Sequence, residues 1–128
     1  IKRLVALYRL ADFCIVSSLH DGMNLVAKEF VAARDDLDGV LVLSEMAGSA
    51  QQLHDALIIN PYDVEGFADA LERAIDMPAD ERKRRMRAMR RRVNENDVAN
   101  WSAKFLRVLE ATKGRDAADA APAQVAAP

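Results

Sequence analysis

Phe13, Cys14, Ile15 and Val16 form a short unbroken apolar run, and behind it Leu25, Val26, Phe30 and Val31 recur at intervals of one, four and one residues. The first run predicts a buried strand over residues 12–17 and the second an amphipathic helix, with a polar, glycine-bearing loop between them. Two further apolar runs, at 40–44 and 56–60, predict two more buried strands. Pro61 ends the last of these, because its ring fixes φ and removes the N–H that pairing would need. An apparent helix over residues 2–11 precedes the first strand. This alternation predicts an α/β fold in which helix exceeds strand. Three strands are fewer than the five or six of a complete doubly wound sheet. Part of a lobe is therefore expected, and the opening at Ile1 rather than Met suggests a truncated or partial gene product.

The second half of the chain adds helices and a biased tail. Between residues 81 and 92 there are eight Lys or Arg. That run invites a nucleic-acid reading, but no aromatic residue is interleaved for base stacking. Met86, Met89 and Val93 recur at three and four residues, which predicts an amphipathic helix with a basic, solvated face. A further amphipathic helix is expected over residues 100–109, with Trp101, Phe105 and Leu109 on one apolar stripe. Beyond Lys113 the sequence is rich in Ala, Asp and Pro and lacks the apolar bulk to offset ordering entropy. The expected organisation is a single partial domain over residues 1–112 and a disordered tail over 113–128.

Charge and cysteine usage narrow the setting. The formal net charge is −2, and no apolar run approaches the eighteen or so residues that span a bilayer. No secretory leader is evident at the start, so a cytoplasmic setting is expected. The lone Cys14 suits a core position in its strand. His54, next to Asp55 at an expected helix end, is read as a surface residue.

The chemistry concentrates in Ser-Leu-His-Asp-Gly-Met-Asn-Leu-Val-Ala-Lys-Glu-Phe, residues 18–30. A loop at the carboxyl end of a strand, feeding a helix N-terminus, presents unpaired N–H groups and the positive end of a helix dipole to phosphorylated ligands. The expected donors are the amides of Met23, Asn24, Leu25 and Val26, with Gly22 allowing close approach of the backbone. Asp21 and Glu29 bracket them. Taken at helical rise, the eight steps between these carboxylates cover roughly 12 Å, comparable to the span from sugar to ribose in a nucleotide-diphosphate sugar. Paired glycosidase carboxylates lie nearer, roughly 5 to 9.5 Å apart. The plainer alternative is that Asp21 caps the helix and Glu29 is solvated. A second strand-to-helix loop, residues 44–50, carries Gly48, which suits close approach to a ligand or, slightly favoured, to a neighbouring helix. Asp36 and Asp38 imitate a metal-binding acidic pair, but Asp38-Gly39 has turn chemistry. No metal is expected.

The nine residues Asp-Gly-Met-Asn-Leu-Val-Ala-Lys-Glu at 21–29 resemble the signature of the trehalose-6-phosphate synthase family of glycosyltransferases. The resemblance continues through residues 7–12, 39–44, Ala47-Gly48 and 56–63, to about Glu110. It implies a fold of two Rossmann-like lobes facing a cleft (GT-B type), of which this chain matches the C-terminal part of the C-terminal, sugar-nucleotide-binding lobe. The implied activity is retaining transfer of glucose from UDP-glucose to glucose 6-phosphate, giving trehalose 6-phosphate, without metal or other cofactor. On the matching positions it implies that Asp21 meets the glucose hydroxyls and acts in catalysis. Gly22, Met23, Asn24, Leu25 and Val26 would hold glucose and diphosphate oxygens, and Glu29 the ribose. His20 stands where the family commonly carries a basic residue, so binding or loop packing suits it better than proton transfer. The family's diphosphate-neutralising basic residues and most of the acceptor site would lie upstream, so this fragment alone is expected to be inactive. The family's terminal helix crosses back toward the N-terminal lobe; without that lobe the stripe at Trp101, Phe105 and Leu109 would favour homo-oligomers. Two alternatives share the donor reading: a glucosylglycerol-phosphate synthase, and a noncatalytic nucleotide-sugar-binding module.

Overall fold

The computed structural model describes residues 2–96 and 98–112. The chain divides into two compact units, Ile1–Glu95 and Asn96–Pro128. In the first unit, helix α1 (Lys2–Leu10) leads into strand β1 (Phe13–Val16), followed by α2 (Leu25–Ala33), β2 (Val40–Ser44), a 3-10 turn (Gly48–Gln51), β3 (Leu57–Ile59), α3 (Val64–Asp76) and α4 (Ala79–Glu95). The three strands form one parallel sheet in the order β1-β2-β3. All three expected strands are present, shorter by one residue at each end for β1 and β3, but the expected burial holds fully only for β2: β1 exposes Phe13 and Ile15, and β3 exposes Ile58, because both are edge strands of the sheet.

Period-two alternation along the central strand divides the core. All five residues of β2 are buried. Leu41 and Leu43 face one side, where Val16 of β1, Ala27, Phe30 and Val31 of α2, and Met86 and Met89 of α4 close around them. Val40 and Val42 face the other, against Leu57 and Ile59 of β3 and Ala74 and Met77 at the end of α3. Helices on both faces explain why β2 reads as a continuous apolar run rather than an alternating one. Cys14 is half-buried beside the first cluster, and burial raises its thiol pKa. α3 is capped by Asp63, whose Oδ1 accepts from the Gly66 amide at 3.0 Å.

The basic run at residues 81–92 lies on α4, with Met86 and Met89 buried beneath it. Its arginines are not simply solvated. Arg82 pairs with Asp38, Arg90 with Asp35 and Arg92 with Asp55, while Arg85 binds Glu81 and the Asp55 carbonyl. The basic face thus ties α4 to the loops at residues 35–38 and 55 that it packs beside.

The turn at residues 34–39 differs most from its expected character. Arg34 is 5% exposed, although the sequence places it in a polar breaker. Its Nη1 donates to the carbonyls of Tyr8 and Arg9 at 2.9 and 3.1 Å and also to that of Ala11. These oxygens belong to the last turn of α1 and the residue just beyond it, where a helix lacks partners of its own. Nε and Nη2 of Arg34 grip Asp36, and its guanidinium lies 5.8 Å from the Phe30 ring centroid. Gly39 has φ 96°, and a Cβ there would stand 3.1 Å from Arg34 Cζ and 3.2 Å from Phe30 Cζ. The carboxylates of Asp36 and Asp38 are engaged by Arg34 and Arg82. Among the described residues no group of three or more His, Cys, Asp or Glu is placed to hold a metal.

In the second unit α5 runs Val98–Thr112, longer at both ends than the expected 100–109. Phe105 and Leu109 lie partly exposed on it. The Trp101 side chain and the expected tail at 113–128 fall outside the described residues. Among the described residues no helix is long and apolar enough to cross a membrane.

Two stability outcomes follow from the Arg34 turn. Arg34→Ala would deprive three part-buried carbonyls of their donor, so urea denaturation should show a loss of about 3 kcal/mol. Asp35→Ala removes exposed ion pairs to Arg9 and Arg90 and should cost below about 1 kcal/mol. Equal losses would contradict the weight given to the buried guanidinium.

The hydrogen bond from Arg82 holds the Asp38 carboxyl below its ordinary pKa, against partial burial and with help from the Gly39 amide. A folded pKa below the unfolded value means that this contribution is complete above the unfolded value, about 3.9. It is lost as pH falls through the folded value. Asp38→Asn should therefore flatten the decline of stability below about pH 4, measured as melting temperature against pH.

Candidate functional site

The loop after β1 is anchored in two directions. Along the sheet, it prolongs the β1–β2 pairing: Asp21 forms a parallel bridge with Ala47, and the Gly48 amide donates to the Asp21 carbonyl at 2.8 Å. This brings the loop at 18–24 beside the segment at 44–50, both at the carboxyl end of the sheet. The close approach expected at Gly48 is real, and its neighbour is the loop backbone. A Cβ on Gly48 would stand 2.1 Å from the Gly22 carbonyl oxygen. At Gly22 itself no atom lies within 4 Å of a Cβ position.

Within the loop, Asp21 organises the chain. Its Oδ1 accepts from the amides of Met23 and Asn24 at 3.0 and 2.8 Å, and its Oδ2 from Asn24 Nδ2 at 3.0 Å. Those bonds to the ionised form, the Met23 amide foremost, hold its pKa below the usual carboxylate range. Asn24 is the cap of α2. It adopts a left-handed conformation, φ 62° and ψ 89°, and its Oδ1 accepts from the Ala27 amide at 2.9 Å. Asn tolerates that region better than most residues, and its Nδ2 also reaches Ser18 Oγ at 3.4 Å.

The expected donors therefore divide. The amides of Met23 and Asn24 turn inward onto Asp21, whereas those of Leu25 and Val26 have no acceptor among the described residues. They are the orphan donors of α2, at the positive end of its dipole. The side chains of Met23, Leu25 and Val26 are exposed. Because α2 begins at Leu25, helical rise applies to only four of the eight steps from Asp21 to Glu29.

Glu29 lies one turn into α2 on an exposed position, and Tyr8 of α1 donates its phenolic hydrogen to Glu29 Oε2 at 3.2 Å. His20 is exposed next to Asp21 and contributes to the lowering of its pKa. His54 is exposed, away from this loop in sequence, in the turn after the 3-10 segment.

Asn24 is placed in the site by sequence reasoning without its cap role, and Tyr8 is missed altogether. Asn24 immediately precedes the periodic apolar residues of α2, the usual place of a cap, so its role had a local signal. Tyr8 had none, being twenty-one residues from Glu29 and brought to it by the packing of two helices.

Comparison with known proteins places this geometry in a family. The trehalose-6-phosphate synthase of Mycobacterium leprae is 49% identical over 114 residues, 89% of this chain and 23% of that protein. A solved α,α-trehalose-phosphate synthase (UDP-forming) from Burkholderia xenovorans, in complex with glucose-6-phosphate, superimposes with TM-score 0.79 at 53% identity. It is matched over 84% of this chain and 24% of its own. A related E. coli structure bound with UDP-2-fluoro glucose gives TM-score 0.81 at 46% identity, covering 85% of this chain and 24% of that one. This chain spans about a quarter of the length of such relatives. With residues 1–111 matching the family as a whole, the chain belongs to Glycosyltransferase family 20.

Proposed function

We propose that this chain is the donor-holding part of a retaining glycosyltransferase that moves glucose from UDP-glucose to glucose 6-phosphate, giving trehalose 6-phosphate. The observation that carries the reading is the loop at 21–24 opening onto the free amides of Leu25 and Val26, with Glu29 one turn further along the same helix. Relatives bound with UDP-2-fluoro glucose and with glucose-6-phosphate support the choice of ligands. A cytoplasmic setting goes with the reading, because an unpaired thiol at Cys14 suits a reducing compartment.

The roles follow from the chemistry of each group. Glu29 is an acceptor-only carboxylate when ionised, so it can take two hydrogen bonds from the ribose diol. The Leu25 and Val26 amides and the helix dipole receive diphosphate oxygens. Asp21 keeps lone pairs beyond those used inside the loop, and these accept from glucose hydroxyls. Gly22 leaves room for the sugar to approach the backbone, while Met23 and Asn24 give the loop its shape. In the same-face substitution, glucose leaves the diphosphate and joins the acceptor hydroxyl, whose proton passes to the departing diphosphate. Fixed amides stabilise the charge that develops there. Positioning carries most of the rate.

A chimera in which this segment replaces its counterpart in a family member tests the whole reading. UDP release on mixing UDP-glucose with glucose 6-phosphate is expected, whereas a folded chimera with no transfer would sink it. Against this chain, calorimetric titration should show that Glu29→Ala weakens UDP and UDP-glucose alike, by about tenfold. Asp21→Ala should weaken UDP-glucose more than UDP, since it loses a sugar contact as well as the loop's order; equal losses would argue against the sugar contact. Gly48→Ala forces the Gly22 carbonyl aside. It should lower both the melting temperature and UDP-glucose affinity, and an unchanged affinity would separate the loop from the site.

A further inference from the structure

We infer that Tyr8 is a positioning residue for Glu29: its hydroxyl fixes one carboxylate oxygen so that the other faces the ligand. The inference rests on the ribose role proposed for Glu29 and adds to it a residue on a different helix.

Three observations carry it. First, the Tyr8 hydroxyl donates to Glu29 Oε2 at 3.2 Å, and no other bond to that carboxylate is seen among the described residues. Oε1 is left to accept. Second, the Tyr8 ring is itself held. It packs edge-on against Phe30, with centroids 6.1 Å apart, and lies against the first core cluster. The two carbonyls donated to by Arg34 at 2.9 and 3.1 Å are those of Tyr8 and Arg9, so the backbone carrying the ring is fixed as well. A phenol on a rigid mount can orient a carboxylate that would otherwise sample several rotamers on an exposed helix face. Third, both groups line one cleft of about 500 Å³ between α1 and α2, together with Leu4, Val5 and Ala32. The Tyr8–Glu29 pair therefore borders open space rather than packed core.

The chemistry suits the task. A phenol is a donor to a carboxylate and, unlike a lysine or arginine, adds no charge that would compete with the ligand's hydroxyls. Burial, foremost, and the neighbouring Glu29 raise the Tyr8 pKa, so the hydroxyl keeps its proton through neutral and mildly alkaline pH. Phenylalanine keeps the ring packing and deletes only the hydroxyl, which makes Tyr8→Phe a clean probe.

Titration of the full chain with UDP and with 2′,3′-dideoxy-UDP, which lacks the diol, tests the inference. Tyr8→Phe should weaken UDP by about three- to tenfold and leave dideoxy-UDP unchanged, with an unaltered melting temperature. In Glu29→Ala the further Tyr8→Phe change should have no effect on UDP. If Tyr8→Phe weakens both nucleotides equally, or neither, the positioning role is overturned. If Glu29→Ala leaves UDP affinity intact, the ribose reading fails and the inference with it; a weakened Glu29→Ala beside a normal Tyr8→Phe overturns the Tyr8 role alone.

Discussion

A buried guanidinium with no partner is among the least tolerable features a protein core can hold, and the arrangement of this unit follows from how Arg34 avoids that state. It sits at the end of α2, yet the carbonyls it satisfies belong to the end of α1, and its remaining nitrogens hold the turn that leads into β2. The end of α1 and the turn after α2, remote in sequence, are thereby set relative to one another. α1 has no fully buried residue of its own, so these bonds, with the Tyr8 packing and the Arg9 bonds to Ala33 and Asp35, fix its position.

That constraint reaches the helices that flank the candidate site. With the end of α1 pinned, Tyr8 meets Phe30 and Glu29 of α2. On the strand side the loop is fixed by pairing, since Asp21 continues the ladder to Ala47 while Gly48 lets the two backbones come together. The candidate site is thus held by helix packing on one flank and by sheet extension on the other. Its own polar groups complete the arrangement: Asp21 and Asn24 satisfy each other and the amides between them. An aspartate engaged in this way shapes the loop, whatever further part it takes as the proposed sugar contact.

Much of this is legible in the sequence because it is local. The run at Val40–Ser44 announces a buried strand, and Met86 and Met89 announce the inner face of α4; the run at Phe13–Val16 announces a strand but overstates its burial, since only Val16 is buried. The loop-helix junction at Asp21–Glu29 is legible for the same reason, with strand, breaker and periodic helix in succession. What sequence could not convey are the partners chosen across the fold. Arg34 reads as part of a polar turn because its acceptors lie twenty-three to twenty-six residues earlier. The arginines of α4 read as a solvated face because Asp35, Asp38 and Asp55 come near only after folding. The Met23 and Asn24 amides read as ligand donors beside the plainer alternative of an Asp21 cap; Asp21 does accept from both, while the cap itself is Asn24.

The internal bonding of the loop bears on how fast a ligand is captured. Asp21 and Asn24 fix the backbone at residues 21–27 without help from any bound molecule. The entropy of ordering that segment is lost during folding and not at encounter. A ligand of the proposed kind would then associate without a slow loop-closing step, governed by diffusion and by the field around the mouth of the site. On the proposed reading, residence time, set by the few groups that would grip the ligand, is the quantity through which selection could tune affinity.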